Sequence, residues 1–282
     1  MKKKVLLKGP LLTRSGYGEH ARFVLRALRS QEDMFDIFIH PLQWGQTSWL
    51  NESDEERRWI DYTIEKTIAY IQQGGTLDIS LQVTIPNEWE RIAPVNIGIT
   101  AGIETTKVSA PWIQKGNEMD KIVVVSGHSK KVYEDTVYVA THNQTKEEIE
   151  IKLTTPIDVV NYPVKVYDAL PDLDLDLKND FNFLCVAQAG PRKNLFNTIK
   201  WFVEEFHDDE VGLVLKTNIA KNCLMDREKI LADIEGFLSN QYENRKCSLY
   251  LLHGDMTDEE MHSLYKHSKI SSLVLFSPGE GL

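Results

Sequence analysis

The chain has 282 residues, enough for at least two hydrophobic cores. Its 32 Lys and Arg against 42 Asp and Glu give a net charge of -10, which opposes non-specific attraction to nucleic acid or anionic lipid but allows a local basic site for a small anion. Three scattered cysteines, Cys185, Cys223 and Cys247, with no C-x-x-C pair argue against a disulfide framework or zinc knuckle, and no apolar run suits a signal peptide or membrane span. A soluble protein in a reduced, cytoplasmic setting is therefore expected, with peripheral membrane contact left open.

Apolar runs alternate with helical periodicity almost throughout, the pattern of parallel sheets covered by helices on both faces. Strands are predicted at 5–7, 35–39, 77–83, 97–101, 122–125 and 159–162. Between them lie a helix carrying Ala21, Val24, Leu25 and Leu28 and another facing its core through Ile60, Ile64, Ile68 and Ile71. The acidic stretch 166–180, with Pro171, breaks the rhythm and is expected to be a solvated linker between domains at 1–165 and 181–282. Its Asp172, Asp174 and Asp176 are spaced like the start of a calcium loop. Leu177 and Phe183 stand where that loop needs glycine and glutamate, so no metal is expected there.

The alternation restarts with strands at 181–187, 211–216, 249–252 and 273–276. Helices between them carry Leu195, Ile199, Phe202 and Phe206, then Ile230, Ile234 and Leu238, then residues 258–267. Trp201 is expected in the core. The chain stops at Ser277-Pro278-Gly279-Glu280-Gly281-Leu282, where a further helix is expected, so the second domain reads as incomplete. The predicted fold class is α/β, two Rossmann-like domains whose parallel sheets face a cleft, with ligands at the carboxyl ends of the strands.

Gly16-Tyr17-Gly18-Glu19-His20-Ala21 spells the dinucleotide fingerprint G-x-G-x-x-A, but residues 10–15 separate it from the first strand. The second strand ends at His40-Pro41 with no acid to take a ribose, and Asp36 comes too early. NAD is the weaker reading. A flexible glycine loop capped by Ser15, at the positive end of a helix and able to approach an anion or a sugar, is the stronger.

Arg192-Lys193-Asn194 follows the strand at 181–187, and Lys216 ends the next strand, about 4.8 Å away across a sheet. These cations are expected to converge on phosphates. Glu280, between two glycines at a strand tip, suits ligand hydroxyls. His20 and His128 are candidates on the cleft side. His262 and His267 are badly spaced for one helix face and no H-E-x-x-H occurs, so no catalytic metal is expected.

With these loops in order, the chain resembles the retaining GT-B-fold glycosyltransferases often called group 1, over nearly its whole length. The resemblance rests on SGYGEHAR, then GIETTKVSAPWIQKGNEMDKIVVVSGHSKKVY through Glu104, Pro111, Trp112, Asn117, Asp120, Val125 and Ser126. It continues through QAGPRKN, LVLKT, LLHGDMTDEEMHSLY and FSPGEG. It implies a UDP- or GDP-linked sugar donor held mainly by the second domain through Arg192, Lys193, Lys216 and Glu280, the last matching the first glutamate of an E-x7-E motif.

Gly16 and Gly18 would close over the donor phosphates. An acceptor (glycan, lipid-linked or small molecule) would sit near His20, Glu104 and His128. Glu280, Lys193 and His128 would serve at the reacting centre, with no cofactor or metal. Departures stand at Gln188, where many members have arginine, and at Lys216-Thr217-Asn218, where many have a glycine-rich turn. Breaking the anomeric bond leaves negative charge on the diphosphate, so fixed cations there favour the transition state, and in the family's retaining picture the leaving phosphate takes the acceptor's proton.

Because the donor domain ends within its motif, the chain alone is expected to be nearly inactive. The competing readings are a non-catalytic sugar- or nucleotide-binding protein of the same fold, an NAD-linked oxidoreductase, and a phosphorylase or sugar-nucleotide isomerase.

Overall fold

The computed structural model describes residues 2–141, 148–239, 242 and 244–277. The chain divides into two compact units, one running to Val164 and the other starting at Lys165. In the first, the elements are β1 (Lys3–Gly9), α1 (Gly16–Arg29), β2 (Phe35–Pro41), α2 (Glu55–Gln72), β3 (Ile79–Val83) and β4 (Val95–Thr100). They continue with α3 (Ala110–Asn117), β5 (Lys121–Val124), α4 (Gly127–Asp135), β6 (Val137–Thr141), β7 (Glu148–Lys152) and β8 (Ile157–Val159). The main sheet is all-parallel in the order β2-β1-β3-β4-β5-β8. Strand order reverses between β1 and β3, the position where such sheets open a crevice at their carboxyl ends. Residues Val5 to Gly9 of β1 are buried in succession, as a strand covered on both faces requires.

Two connections differ from the sequence expectation. On α2 the buried positions are Ile60, Thr63 and Thr67, while Ile68 and Ile71 are 53% and 48% exposed. The reason is the free edge of β2. Thr67 Oγ1 accepts the Ile39 N–H at 2.9 Å and Lys66 Nζ donates to the Ile37 carbonyl at 2.9 Å, so α2 turns a polar flank to that edge. The link from β3 to β4 has no α-helix; a single 3-10 turn, Pro86–Glu88, leads to Trp89, which lies over the sheet. Buried side chains satisfy this irregular backbone: Gln82 Oε1 accepts from Glu90 N at 3.1 Å, and Asn96 Oδ1 accepts from Ile92 N and Ala93 N at 2.9 and 3.0 Å. The β6–β7 antiparallel pair was not foreseen, and β8 lies two residues before its predicted start.

The second unit runs β9 (Asn182–Val186), α5 (Leu195–Glu205), β10 (Gly212–Lys216), α6 (Leu224–Leu238), β11 (Ser248–Leu252), α7 (Asp258–Tyr265) and β12 (Ile270–Leu273). Its sheet is parallel in the order β11-β10-β9-β12, reversing between β9 and β12. One face packs Cys185, Leu213 and Leu215 against α5 and α6; the other packs Leu184 and Val214 against Leu264 of α7.

The expected linker is partly structural: Leu173, Leu175 and Leu177 alternate onto this second face while Asp172, Asp174 and Asp176 stay exposed. A period of two, with leucines in and aspartates out, explains the composition. Trp201 is not core; it is 40% exposed, its ring 4.5 Å from that of Phe276. Strand β12 begins three residues before the predicted one. Among the described residues no helix is long and apolar enough to cross a membrane.

Candidate functional site

In the first unit the glycine loop leaves the carboxyl end of β1. The residues inserted before it are anchored, since Leu11 and Leu12 are buried and Thr13 Oγ1 donates to the Pro10 carbonyl at 2.9 Å. Ser15 caps α1 as expected, accepting from Gly18 N at 2.9 Å. Arg22, 6% exposed, donates from Nη1 to the Leu11 and Thr13 carbonyls at 2.7 and 3.0 Å, with Glu19 balancing its charge at 2.8 Å. The loop is thus tied down rather than flexible, because a buried guanidinium needs fixed acceptors and the loop carbonyls supply them. Among the described residues the N–H groups of Gly16 and Tyr17 have no protein acceptor, and Gly16 is exposed.

Tyr17 reaches from this loop to the end of β4, where its hydroxyl lies 2.8 Å from Thr100 Oγ1 and accepts from Ala101 N at 3.2 Å. Its ring stacks on Trp44 at 4.4 Å. His20 faces inward, 6% exposed, edge-on to Tyr162 at 4.9 Å, and its Nδ1 has no partner among the described residues. Burial alone lowers its pKa to about 4, so the imidazole is neutral at ordinary pH. His128 is exposed at the first turn of α4, with Nε2 3.2 Å from the Thr105 carbonyl. It stands beside the loop bearing the exposed Glu104. His128 and Glu104 therefore share one rim, whereas His20 is on the buried face of α1.

The His20 environment has a measurable consequence. In the unfolded chain the imidazole gains a proton near pH 6.5, but in the folded chain only near pH 4, so stability falls as pH drops through that window. The loss approaches about 3 kcal/mol. In acid-range thermal melts, His20→Leu is expected to show a shallower decline between pH 6.5 and 4 than the parent. Parallel profiles would contradict the buried neutral imidazole.

In the second unit the sequence Gly190-Pro191-Arg192-Lys193-Asn194 forms a 3-10 turn, Pro191–Lys193, entering α5 through Asn194 at φ 53. This turn bridges the two strands at which the sheet order reverses. Asn194 Nδ2 donates to the Phe276 carbonyl and Ser277 Oγ to the Arg192 carbonyl, both at 3.3 Å, just past β12. Arg192 is exposed and Lys193 half-buried. Gln188, where the resemblance implies an arginine in many members, donates to the Ile219 carbonyl at 2.8 Å and ties this loop to the next.

Lys216 ends β10 in register with Val186 and Leu252, and its Nζ donates to the Gly254 carbonyl past β11. The three expected cations therefore share the sheet's carboxyl edge but spread along it: Arg192 and Lys193 over β9 and β12, Lys216 toward β11. Beside Lys216, the Thr217 hydroxyl is buried without a partner among the described residues. Glu280 lies outside the described residues, so its expected role has no geometry here.

One pair escaped sequence reasoning. His253 Nε2 lies 2.9 Å from Asp226 Oδ1, and the same carboxylate accepts from the amides of Ile219, Ala220 and Lys221 at 2.9, 2.8 and 2.8 Å. Burial would raise the Asp226 pKa, but the Lys221 and Ile219 amides, His253 and the Ala220 amide together hold it near 2. The available signal was an aspartate in the first turn of α6 with a histidine just past the next strand.

No protein-family model matches the chain, and no curated protein matches it in sequence. Solved structures do match. The lipopolysaccharide outer core galactosyltransferase WaaB in its apo form is 11% identical with a TM-score of 0.52, over 100% of this chain and 76% of that one. An E. coli trehalose-6-phosphate protein bound with UDP-2-fluoro glucose is 12% identical with a TM-score of 0.53, over 100% of this chain and 79% of that one. At such identities the likeness concerns the fold: two Rossmann-like α/β units, as in GT-B glycosyltransferases.

Proposed function

We propose that this chain acts in glycosyl transfer from a nucleotide-sugar donor to a hydroxyl acceptor, with retention of anomeric configuration. The observation that carries the reading is the basic turn Arg192-Lys193 at the strand-order reversal of the second sheet, with Lys216 on the same edge. That edge is where doubly wound sheets hold ligands. The two matched structures support it by fold and by what their names state.

In this reading Arg192, Lys193 and Lys216 meet the negative charge that builds on the leaving diphosphate. They supply a stabilisation that a divalent metal provides elsewhere. The acceptor is assigned to the first unit, near the Glu104–His128 rim. His128, on that rim, remains the first-unit candidate at the reacting centre; the buried, neutral His20 is better suited to shaping the site than to moving protons at physiological pH. Free thiols at Cys185, Cys223 and Cys247 fit a reduced, cytoplasmic setting.

The test is calorimetric titration with UDP and with GDP. Lys193→Ala is expected to weaken the bound nucleotide by roughly 10- to 100-fold, the scale of one charge-assisted hydrogen bond. Binding of NAD in preference to both nucleotides would overturn the reading. So would nucleotide affinity indifferent to Lys193.

A further inference from the structure

Asp226 and His253 form a buried pair to which no donor or acceptor contact has been assigned. Their side chains are 8% and 2% exposed, and the histidine Nε2 stands 2.9 Å from the carboxylate. An acidic side chain at the third position of a helix, as Asp226 is in α6, ordinarily reaches back only to the N-cap amide. Asp226 instead reaches back to the amides of Ile219, Ala220 and Lys221, in the loop that follows Lys216 and Thr217.

The far side of the pair leads to the same lysine. His253 is followed by Gly254, whose φ of +117 is a conformation that L side chains rarely adopt. The carbonyl of that glycine accepts from Lys216 Nζ. Asn222 adds a strut between the two loops, accepting from Asn218 Nδ2 at 2.9 Å and donating to Asp255 Oδ1 at 2.5 Å. The segment after β10 and the turn after β11, which flank the Lys216 ammonium, are thus both fixed to one carboxylate. One is held by three amides and the other by His253.

We infer that Asp226 and His253 are positioning residues for Lys216, holding loop 217–222 and the Gly254 turn so that the ammonium stands ready at the carboxyl edge between β10 and β11. The inference rests on the reading that Lys216 meets the donor diphosphate. A lysine's long stem leaves its charge many positions, and an acceptor on a fixed turn selects one before the ligand arrives. That acceptor is a backbone carbonyl, so its direction depends on what anchors the turn, and the anchor is His253.

A double-mutant cycle tests this, with UDP and GDP as probes on the full chain. His253→Leu is expected to weaken whichever probe the parent binds by roughly 10-fold, within the range for misplacing a charged contact. His253→Gln, whose amide nitrogen can still donate to Asp226, is expected to keep affinity within about threefold. In a Lys216→Ala background His253→Leu is expected to cost less than about twofold more, because its effect runs through the lysine. Thermal melts accompany each variant, and His253→Ala, which also removes the donor to Asp226, replaces the leucine variant should that fail to fold.

An equal loss with and without Lys216, or no loss from His253→Leu, overturns the inference while leaving the donor reading in place. A parent chain that binds neither UDP nor GDP overturns the donor reading and the inference with it.

Discussion

Gly18→Ala is expected to destabilise the first unit by about 2–3 kcal/mol, whereas Gly16→Ala, two residues away in the same motif, is expected to be neutral or mildly stabilising. A methyl group at Gly18 would sit 2.2 Å from the Thr13 carbonyl oxygen, 2.8 Å from Thr13 Oγ1 and 3.0 Å from the Pro10 carbonyl. The first and last of these are backbone atoms held in place by Arg22 and the Thr13 hydroxyl, so they cannot yield cheaply. A methyl group at Gly16 meets nothing within 4 Å, and alanine there lowers the entropy of the unfolded chain.

Chemical denaturation of the two variants separates the roles. Equal losses would mean that the loop is a uniform turn. If Gly16 keeps its amide open to a ligand, a larger side chain such as Gly16→Val weakens binding without loss of the fold.

Gly98→Ala is expected to cost about 3 kcal/mol, a fall of roughly 6–12 °C in melting temperature for a unit of this size. Gly98 lies in β4 beneath Trp89, and a β-carbon there would stand 2.6, 2.7 and 2.7 Å from Cε2, Cδ2 and Cζ2 of the indole. The ring cannot lift away freely. It is 1% exposed, and its Nε1 donates to the Gln82 carbonyl at 3.1 Å. Moving it would break the seal over Gln82 and Asn96, both fully buried, whose side chains satisfy the backbone of the link from β3 to β4. Trp89→Leu in the Gly98→Ala background is expected to recover part of the loss, because the smaller side chain vacates the contested volume. A melting temperature within about 2 °C of the parent for Gly98→Ala alone would show that the indole does not lie on the strand.

These two glycines show what a single sequence makes legible. Gly16 and Gly18 are alike as letters of a G-x-G motif, but only the path of residues 10–15 makes one a packing contact and the other an open position. In α2 the stripe Ile60, Ile64, Ile68 and Ile71 has perfect helical spacing. The helix nonetheless rotates toward Thr63 and Thr67, because the unpaired N–H of Ile39 on the β2 edge needs an acceptor. Periodicity registers apolar area and is blind to the hydrogen-bonding demand of a strand edge far away in sequence.

The stretch 166–180 reads as a linker because its acids dominate the composition; the leucines between them are what the second unit's core takes up. Asp226 and His253 gave no sign of each other, being 27 residues apart on elements that meet only when β10 and β11 pair.

The sequence by itself determined the alternation of strands and helices, the parallel α/β class, the Ser15 cap and the placing of the basic loops at strand carboxyl ends. Those follow from local periodicity, capping chemistry and glycine punctuation, which act over a few residues. Only the tertiary structure decided the strand orders and hence where each sheet reverses. It also decided that Lys216 leans toward Gly254 rather than toward Arg192, and that His20 is a buried neutral ring while His128 stands on a rim beside Glu104. Each of these depends on which distant backbone atoms come within hydrogen-bond or van der Waals reach, a distance that sequence spacing does not encode.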